Sequence, residues 1–341
     1  MSVGLIQTHL PARPVPVWAR RPVASATDTR RGSTAPVRTE SLNFALAGHC
    51  PSNVEMMAIT QARVQFNQTG NSKQLLPLLA HRRGITDITT QRQLDQKVLA
   101  LGPKLNVYST SQPIERGKKL QANQLQPADP ATKLVLASQI VSMLGHKPGL
   151  LKKLNVGKLR VIVAEDNQMH GARGRCTGSG NLIINHDVLW GDVRPGDNHN
   201  TLVHELCHLL DGCTNRDGLL PDMEAKDRIR FRLARRKLYK QYCQTYEKTF
   251  GVEPNKDTNP PEKSHPWWEQ KTLGQDTNGD GIRNYVFFGR NRDDLKEKRE
   301  FVADTVRLFM DKPEALRQSS PALYGVYRRY FGFDPATRQA G

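Results

Sequence analysis

Two histidines and a glutamate at residues 204–208 have the types and spacing of a zinc site that activates water. The segment VHELCHLLDG contains His204, Glu205 and His208. In a helix, residues four apart lie on one face, so both imidazoles would point at a single ion. A catalytic zinc ion takes three protein ligands and keeps a position for water, and Glu205 is placed to accept the proton of that water. The alternative is a core helix that contains two histidines by coincidence.

A third zinc ligand is expected downstream, in KEKREFVADTVRLFMDKPEAL. Apolar residues recur there at helical spacing and the pattern stops near Pro313, which predicts an amphipathic helix. Glu300 and Asp304 share one face of it. We expect Glu300 to bind the metal and Asp304 to accept a hydrogen bond from a ligand imidazole. A solvated charged face remains open, because four charged residues directly precede Glu300.

Three further residues surround the two histidines in the sequence. Cys207, three positions after His204, is expected to pack inward. Asp211 is expected to orient the lower end of the site or to hold the end of the helix. Cys213 is an alternative metal ligand.

The elements that must position these residues are helices and short strands. KLVLASQIVSMLGH has the spacing of an amphipathic helix, and TLVHELCHLLDG that of an apolar helix. LRVIVAED (159–166) and the centre of NLIINHDVLW (181–190) are β-branched and predict strands. The glycine-rich GARGRCTGSG between them is not a phosphate-binding loop, because it lacks the Gly-Lys-Ser/Thr ending and opens no helix.

Two longer segments resemble a known family. LIINHDVLWGDVRPGDNHNTLVHELCHLLDG and EFVADTVRLFMDKPEALRQSSPALYGVYRRYFGFDP resemble, in order, motifs of the Mlc titration factor A zinc peptidases. The Glu-x-x-Ala-acid helix is also similar to the catalytic domain of lethal-factor-type toxin proteases. The resemblance spans about residues 133–335 and involves several separated motifs, so it is more specific than His-Glu-x-x-His alone.

The resemblance implies a gluzincin-like zincin fold of the α+β class, with a small mixed sheet and an active-site helix. It implies that His204, His208 and Glu300 bind zinc and that Glu205 is the general base. It also implies that the strand before the active-site helix is a sheet edge that pairs with an extended substrate. That strand comprises Asn181, Leu182, Ile183, Ile184 and Asn185.

The sequence departs from the family in two places. The connection between His208 and Glu300 is longer, with an insert around 251–298. The family also places a tyrosine shortly before the third ligand, where it stabilises the developing oxyanion, and here that position holds Asp293. Tyr285 is the nearest upstream tyrosine and is assigned that role, with Tyr324 and Tyr327 as alternatives.

Composition divides the chain into three parts. Residues 1–45 are rich in Pro, Ser, Thr and Arg and predict a disordered basic segment that could act as a secretion signal. Residues 46–128 predict a small helical region and a linker, and residues 129–341 the metallopeptidase domain.

The formal net charge of +17 favours an acidic partner. Much of it lies in the predicted helix 225–250, where Ile229, Leu233 and Leu238, together with tyrosines, indicate one buried face. The cationic remainder could contact nucleic acid, an anionic surface or an acidic substrate. A merely solvated helix is the alternative.

A calcium loop is suggested by oxygen-bearing residues at alternate positions. Asp276, Asn278 and Asp280 precede Gly281, as in a calcium-binding loop, but Phe287 stands where the twelfth-position glutamate belongs. An ordinary Asp/Asn/Gly turn is the alternative.

The cysteines and the lengths of the apolar runs bear on where the protein is located. Five scattered cysteines indicate reduced thiols, and no apolar run is long enough to span a membrane. We expect a bacterial cytoplasmic protein, or one secreted without a Sec signal peptide, such as a type III effector.

The expected function is zinc-dependent hydrolysis of peptide bonds. The alternative is a basic regulator- or nucleic-acid-binding protein whose zinc site is structural or vestigial, in which case four protein ligands are expected.

Overall fold

In a computed structural model of the protein, a small mixed sheet packs against a layer of helices. The structure describes residues 53–114, 120–147, 149–154, 159–165, 168–169, 173–176, 181–190, 201–210, 219–250 and 295–339, all within the unit Asn43–Gly341. The predictions for residues 1–45 and for most of the insert around 251–298 lie outside them.

The described chain alternates helices with short strands. The first elements are α1 (Asn53–Thr69), α2 (Ile88–Leu101), β1 (Asn106–Ser109), β2 (Gln126–Pro127), α3 (Pro130–Leu144) and α4 (Leu150–Lys153). The next are β3 (Arg160–Ala164), β4 (Gly174–Cys176), β5 (Asn181–Asn185), α5 (His186–Trp190), α6 (Thr201–Leu210) and α7 (Ala225–Phe250). The last are α8 (Leu295–Asp311), α9 (Pro313–Ser319), α10 (Pro321–Phe331) and α11 (Pro335–Gln339). The fold is therefore mixed α+β, as predicted.

Local sequence signals set several of these boundaries. Asp87 caps α2 by accepting a hydrogen bond from the Thr90 amide, and Asp129 caps α3 in the same way through Thr132. Pro130 occupies the first turn of α3, where its missing amide hydrogen costs nothing. No described helix is long and apolar enough to cross a membrane.

The sheet has the order β2-β1-β3-β5-β4, in which β1, β3 and β5 run parallel and the two outer strands pair antiparallel. Strands β1 and β2 lie in the segment from which we predicted a linker. Strand β1 forms there because Val107, which lies between polar neighbours, is buried in the main core. Strand β2 is an outer strand, where the missing amide hydrogen of Pro127 is tolerated.

The prediction that Asn181–Asn185 forms the sheet edge is wrong. This strand, β5, pairs with β3 on one side and β4 on the other. Among the described strands, the edge beside β5 is β4, which arises from the glycine-rich segment. Its short, glycine- and arginine-containing sequence lacks the apolar alternation by which a strand is recognised.

Both faces of the sheet are covered. Leu182 and Ile184 belong to the main core under the helices, whereas Ile183 belongs to a smaller cluster on the opposite face with Ile114 and Met169. Helix α3 is the centre of the main core. It was predicted to be amphipathic but is buried almost all round, because α1, α2 and α6 contact it from different sides.

An aromatic cluster holds the C-terminal helices together. Phe309 of α8 contacts Tyr324 and Tyr327 of α10 and stacks on Phe331 of the same helix. Phe301, also of α8, packs edge-on against a phenylalanine of α7. Large buried rings of this kind dominate core packing energies. They fix α8 against α7 and α10, and α8 in turn packs along α6.

Candidate metal centre

Helix α6 places both histidines toward the interior of the protein. Its apolar residues Leu202, Val203 and Leu206 are buried in the main core, which fixes the rotation of the helix. His204 is 7% exposed, and its ring lies against that of His208 one turn later, with 4.8 Å between the centroids. The i and i+4 spacing thus brings the two rings together, as predicted.

Helix α8 brings a carboxylate to the same point. Glu300 Oε2 lies 3.2 Å from His204 Nε2 and 3.7 Å from His208 Nε2, and the two Nε2 atoms are 3.2 Å apart. Three electron-pair donors therefore converge, although Glu300 follows His204 by 96 residues in the sequence. The predicted ligand set is assembled by the packing of α8 on α6.

The separations between these atoms fit a zinc ion. Zinc binds imidazole nitrogen at about 2.0–2.1 Å, so a tetrahedral arrangement separates neighbouring ligand atoms by about 3.3–3.4 Å. The observed separations of 3.2, 3.2 and 3.7 Å bracket that value. Two imidazoles and one carboxylate are also the ligand set of one class of catalytic zinc site.

The electrostatics of Glu300 favour its charged form. Burial alone would raise the pKa of this carboxyl, but hydrogen bonds and charge from His204 and His208 outweigh burial and lower it well below the ordinary value. A carboxylate that stays ionised is what metal binding requires.

Glu205 lies beside the three ligand atoms without joining them. Burial raises the pKa of its carboxyl above the ordinary value, although the two histidines and a hydrogen bond from the Cys176 backbone act in the opposite direction. The Cys176 amide belongs to β4, so the edge strand holds this carboxylate from outside α6. Sequence reasoning missed the contact, because main-chain donors leave no residue-type signal.

Strand β4 can make this contact because Gly174 has no side chain. A Cβ at this position would lie 2.7 Å from Thr201 Cγ2 and 2.9 Å from Glu205 Cγ, both on α6. Glycine in a strand often marks such a close approach. Gly174 therefore sets the distance between the sheet edge and the helix that carries Glu205.

The backbone of β4, the outermost described strand on this side of the sheet, alternates in the direction of its hydrogen-bonding groups. The Asn185 amide donates to the Arg173 carbonyl at 2.9 Å, so the main-chain groups of Arg173 face β5. Orientation alternates along a strand, and those of Gly174 and Cys176 therefore face away from the sheet. The Cys176 hydrogen bond to Glu205 agrees with that direction.

Of the other predicted site residues, the structure describes some, including Asp304 and Cys207, but not all. Asp304 is fully buried one turn after Glu300 and accepts a hydrogen bond from Arg307 Nε at 2.9 Å. Its predicted bond to a ligand imidazole stays a prediction. Cys207 is buried, as predicted. The remaining candidates lie outside the described residues: Asp211, Cys213, Tyr285, and the calcium-loop residues Asp276, Asn278 and Asp280.

The hydroxyls of the two alternative oxyanion donors, Tyr324 and Tyr327, have hydrogen-bond partners in the C-terminal part of the chain. Tyr327 is fully buried, and its hydroxyl lies 2.6 Å from Thr305 Oγ1. The Tyr324 hydroxyl donates to the Asp334 carboxylate. Both tyrosines belong to the aromatic cluster, and their hydroxyls bind partners within the C-terminal helices.

A second group of metal-ligand side chains lies at the carboxyl ends of β3 and β5. Glu165 follows one strand, and His186 and Asp187 follow the other, so the parallel pairing brings them together. However, Arg63 Nη1 lies 3.4 Å from His186 Nε2, and its positive charge opposes a cation there. Of the two groups, the one formed by His204, His208 and Glu300 is the better metal site.

Comparison with known proteins finds no family that matches the chain and no curated protein with significant sequence similarity.

Proposed function

We propose that the protein is a zinc-dependent peptidase whose zinc ligands are His204, His208 and Glu300. The observation that carries the proposal is the convergence of two Nε2 atoms and one carboxylate oxygen within 3.7 Å of one another. Within the described part of the chain, three side chains converge there. Three protein ligands are typical of a catalytic zinc site, whereas structural sites usually have four. A zincin fold and membership of the Mlc titration factor A family are parts of the same proposal.

Glu205 is the residue that moves the proton. When bound, zinc supplies Lewis acidity and lowers the pKa of a coordinated water. Glu205 accepts a proton from the attacking water and passes it to the amine that leaves. Its burial supports this role, because a carboxyl with a raised pKa is better matched to proton transfer near neutral pH. The Cys176 amide orients the carboxylate for the transfer.

The substrate is an extended peptide that binds along β4. The outward-facing main-chain groups of Gly174 can pair with another strand, as in β-strand addition. Such pairing fixes the backbone of the peptide without specifying its side chains. It would also bring a peptide bond next to Glu205, since the same strand contacts that carboxylate.

Metal content and hydrolysis test the proposed function together. Purified protein should contain about one zinc ion per chain by mass spectrometry and should cleave a mixed peptide library. A chelator should abolish cleavage, and added zinc should restore it. Protein that carries zinc and folds but cleaves nothing in a library or a proteome digest would contradict the proposal.

Replacing Gly174 with alanine tests the role of β4. The new methyl group would overlap Thr201 and Glu205, which should cost about 1–3 kcal/mol of stability and misplace the edge strand. We expect activity to fall by about 100-fold, because displacements near 1 Å in an active site have such effects. Thermal denaturation and peptide hydrolysis measure the two quantities.

Gly325→Ala is the matched control for this substitution. Gly325 lies in α10, and a Cβ there would meet only the end of the Arg329 side chain at 3.4 Å. Alanine in a helix should be neutral or stabilising. If Gly174→Ala is as stable and active as Gly325→Ala, the close approach of β4 does not matter for function.

A further inference from the structure

Helix α7 exposes apolar side chains that its sequence pattern predicted to be buried. Ile229 and Leu233 were predicted to lie on the buried face, but they are 59% and 57% exposed. The buried stripe contains Leu238 and Tyr242, as predicted, together with Phe231 and Ala234. At 100° per residue, Ile229 lies directly opposite that stripe, and Leu233 lies one turn later on the same side. Two large aliphatic side chains therefore project away from the body of the protein.

Basic side chains surround this aliphatic pair. Between residues 228 and 246 the sequence contains seven Lys and Arg residues and no Asp or Glu. Arg232, Arg236, Lys237 and Lys240 are exposed, and among the described residues none of them forms an ion pair. We call these four residues, together with Ile229 and Leu233, the α7 outer face.

The nearest acidic residue of the helix does not offset this charge. Asp227 is buried, and its carboxylate pairs with Arg329 at 2.7 Å and with Arg230 at 3.4 Å. Its negative charge is already neutralised at the inner side of the helix. The α7 outer face is therefore a cationic surface with an apolar centre.

We propose that the α7 outer face binds the surface of an anionic lipid bilayer. A helix that lies on a membrane combines cationic side chains, which attract acidic headgroups, with apolar side chains, which enter the boundary between headgroups and acyl chains. The exposed pair supplies the apolar part, and the four cations supply the charge. A nucleic acid would use only the cations, because its phosphate backbone gains nothing from contact with Ile229 and Leu233. The observations favour the lipid surface over a nucleic acid for this reason.

Vesicle binding by the full-length protein tests the proposal. We expect binding to phosphatidylcholine vesicles that contain phosphatidylserine and little binding to phosphatidylcholine alone. The double variant Ile229→Ser/Leu233→Ser should bind at least about ten-fold more weakly, because it loses the apolar contribution. The triple variant Arg232→Gln/Arg236→Gln/Lys240→Gln should lose about five-fold for each charge removed. Sedimentation with vesicles measures the binding, and circular dichroism confirms that each variant folds.

Matched controls separate this face from the general charge of the protein. Met57→Ser/Val64→Ser removes two other exposed aliphatic side chains, which are 72% and 49% exposed on α1. A charge control replaces three exposed basic residues elsewhere with glutamine: Lys73, Arg92 and Lys104. Both controls should bind vesicles as the unaltered protein does.

Three results would overturn the proposal. The first is no binding to phosphatidylserine vesicles at low salt. The second is that the control variants lose as much binding as the α7 variants, or that the Ile229/Leu233 variant loses none. The third is that duplex DNA or RNA is bound through the same arginines while vesicles are not. The test uses no peptidase activity, so its outcome is independent of the proposed function.

Discussion

Glu205→Gln is expected to lower the rate of peptide hydrolysis by about 10²- to 10⁴-fold, the range that a general acid–base group contributes. Glutamine is nearly isosteric with glutamate, and its side-chain oxygen can still accept the Cys176 amide hydrogen. It cannot accept a proton from water near neutral pH. The variant should therefore retain the fold and the metal while losing the proton-transfer step.

The measurements for Glu205→Gln are kcat on a cleaved peptide, zinc content and melting temperature, each compared with Glu314→Gln. Glu314 is a half-buried residue of α9 that pairs with Arg317, so its replacement controls for the loss of one carboxylate. Hydrolysis within ten-fold of the unaltered protein would remove Glu205 from the mechanism. Loss of zinc from the variant would instead make Glu205 part of the metal site.

Glu300→Gln is expected to weaken zinc binding by more than about 100-fold, since even residues that only support a ligand contribute ten- to 100-fold. The amide keeps the shape of the side chain but removes the negative charge that faces His204 and His208. Hydrolysis should fall with zinc occupancy, and excess zinc should restore part of it. Competition with a chromogenic chelator measures the affinity.

The two variants together distinguish the roles of the two glutamates. Glu205→Gln should keep zinc and lose hydrolysis, whereas Glu300→Gln should lose both at low zinc concentration. Glu300→Asp keeps the charge on a shorter side chain and should bind zinc with intermediate affinity. If Glu300→Gln bound zinc as tightly as the unaltered protein, the third ligand would have to be another residue.

The candidate metal site is partly predictable from sequence because its chemistry depends on helical spacing. His204 and His208 need only one turn of α6 to converge. The apolar pattern around Glu300 predicts a helix, but the four charged residues before Glu300 left a solvated face open as an alternative. The pairing of α6 with α8 does not follow from spacing. It depends on the aromatic cluster, to which α10 contributes, and on contacts between residues far apart in the chain.

The edge strand and two residues of the buried face of α7, Ile229 and Leu233, were predicted wrongly for physical reasons. Strand β4 contains a glycine and an arginine, and its stability comes from pairing with β5 rather than from its own propensity. In α7, apolar residues occur on more than one side of the helix, so periodicity alone does not select the buried stripe. Phe231 is buried because it faces α8 and α10, a choice that only tertiary packing makes.

The distance along the chain between the proposed metal ligands has a consequence for how the metal-bound protein would unfold. Glu300 follows His204 by 96 residues, and these two residues belong to different helices. An ion bound by both would act as a cross-link that closes a long loop, and the entropy cost of loop closure rises with loop length. The metal would thus tether α6 to α8 in much the way that a disulfide tethers distant segments, and it would add its binding free energy to the stability of the fold. Unlike a disulfide, this cross-link would be lost when the metal is removed, and its formation would need no oxidant.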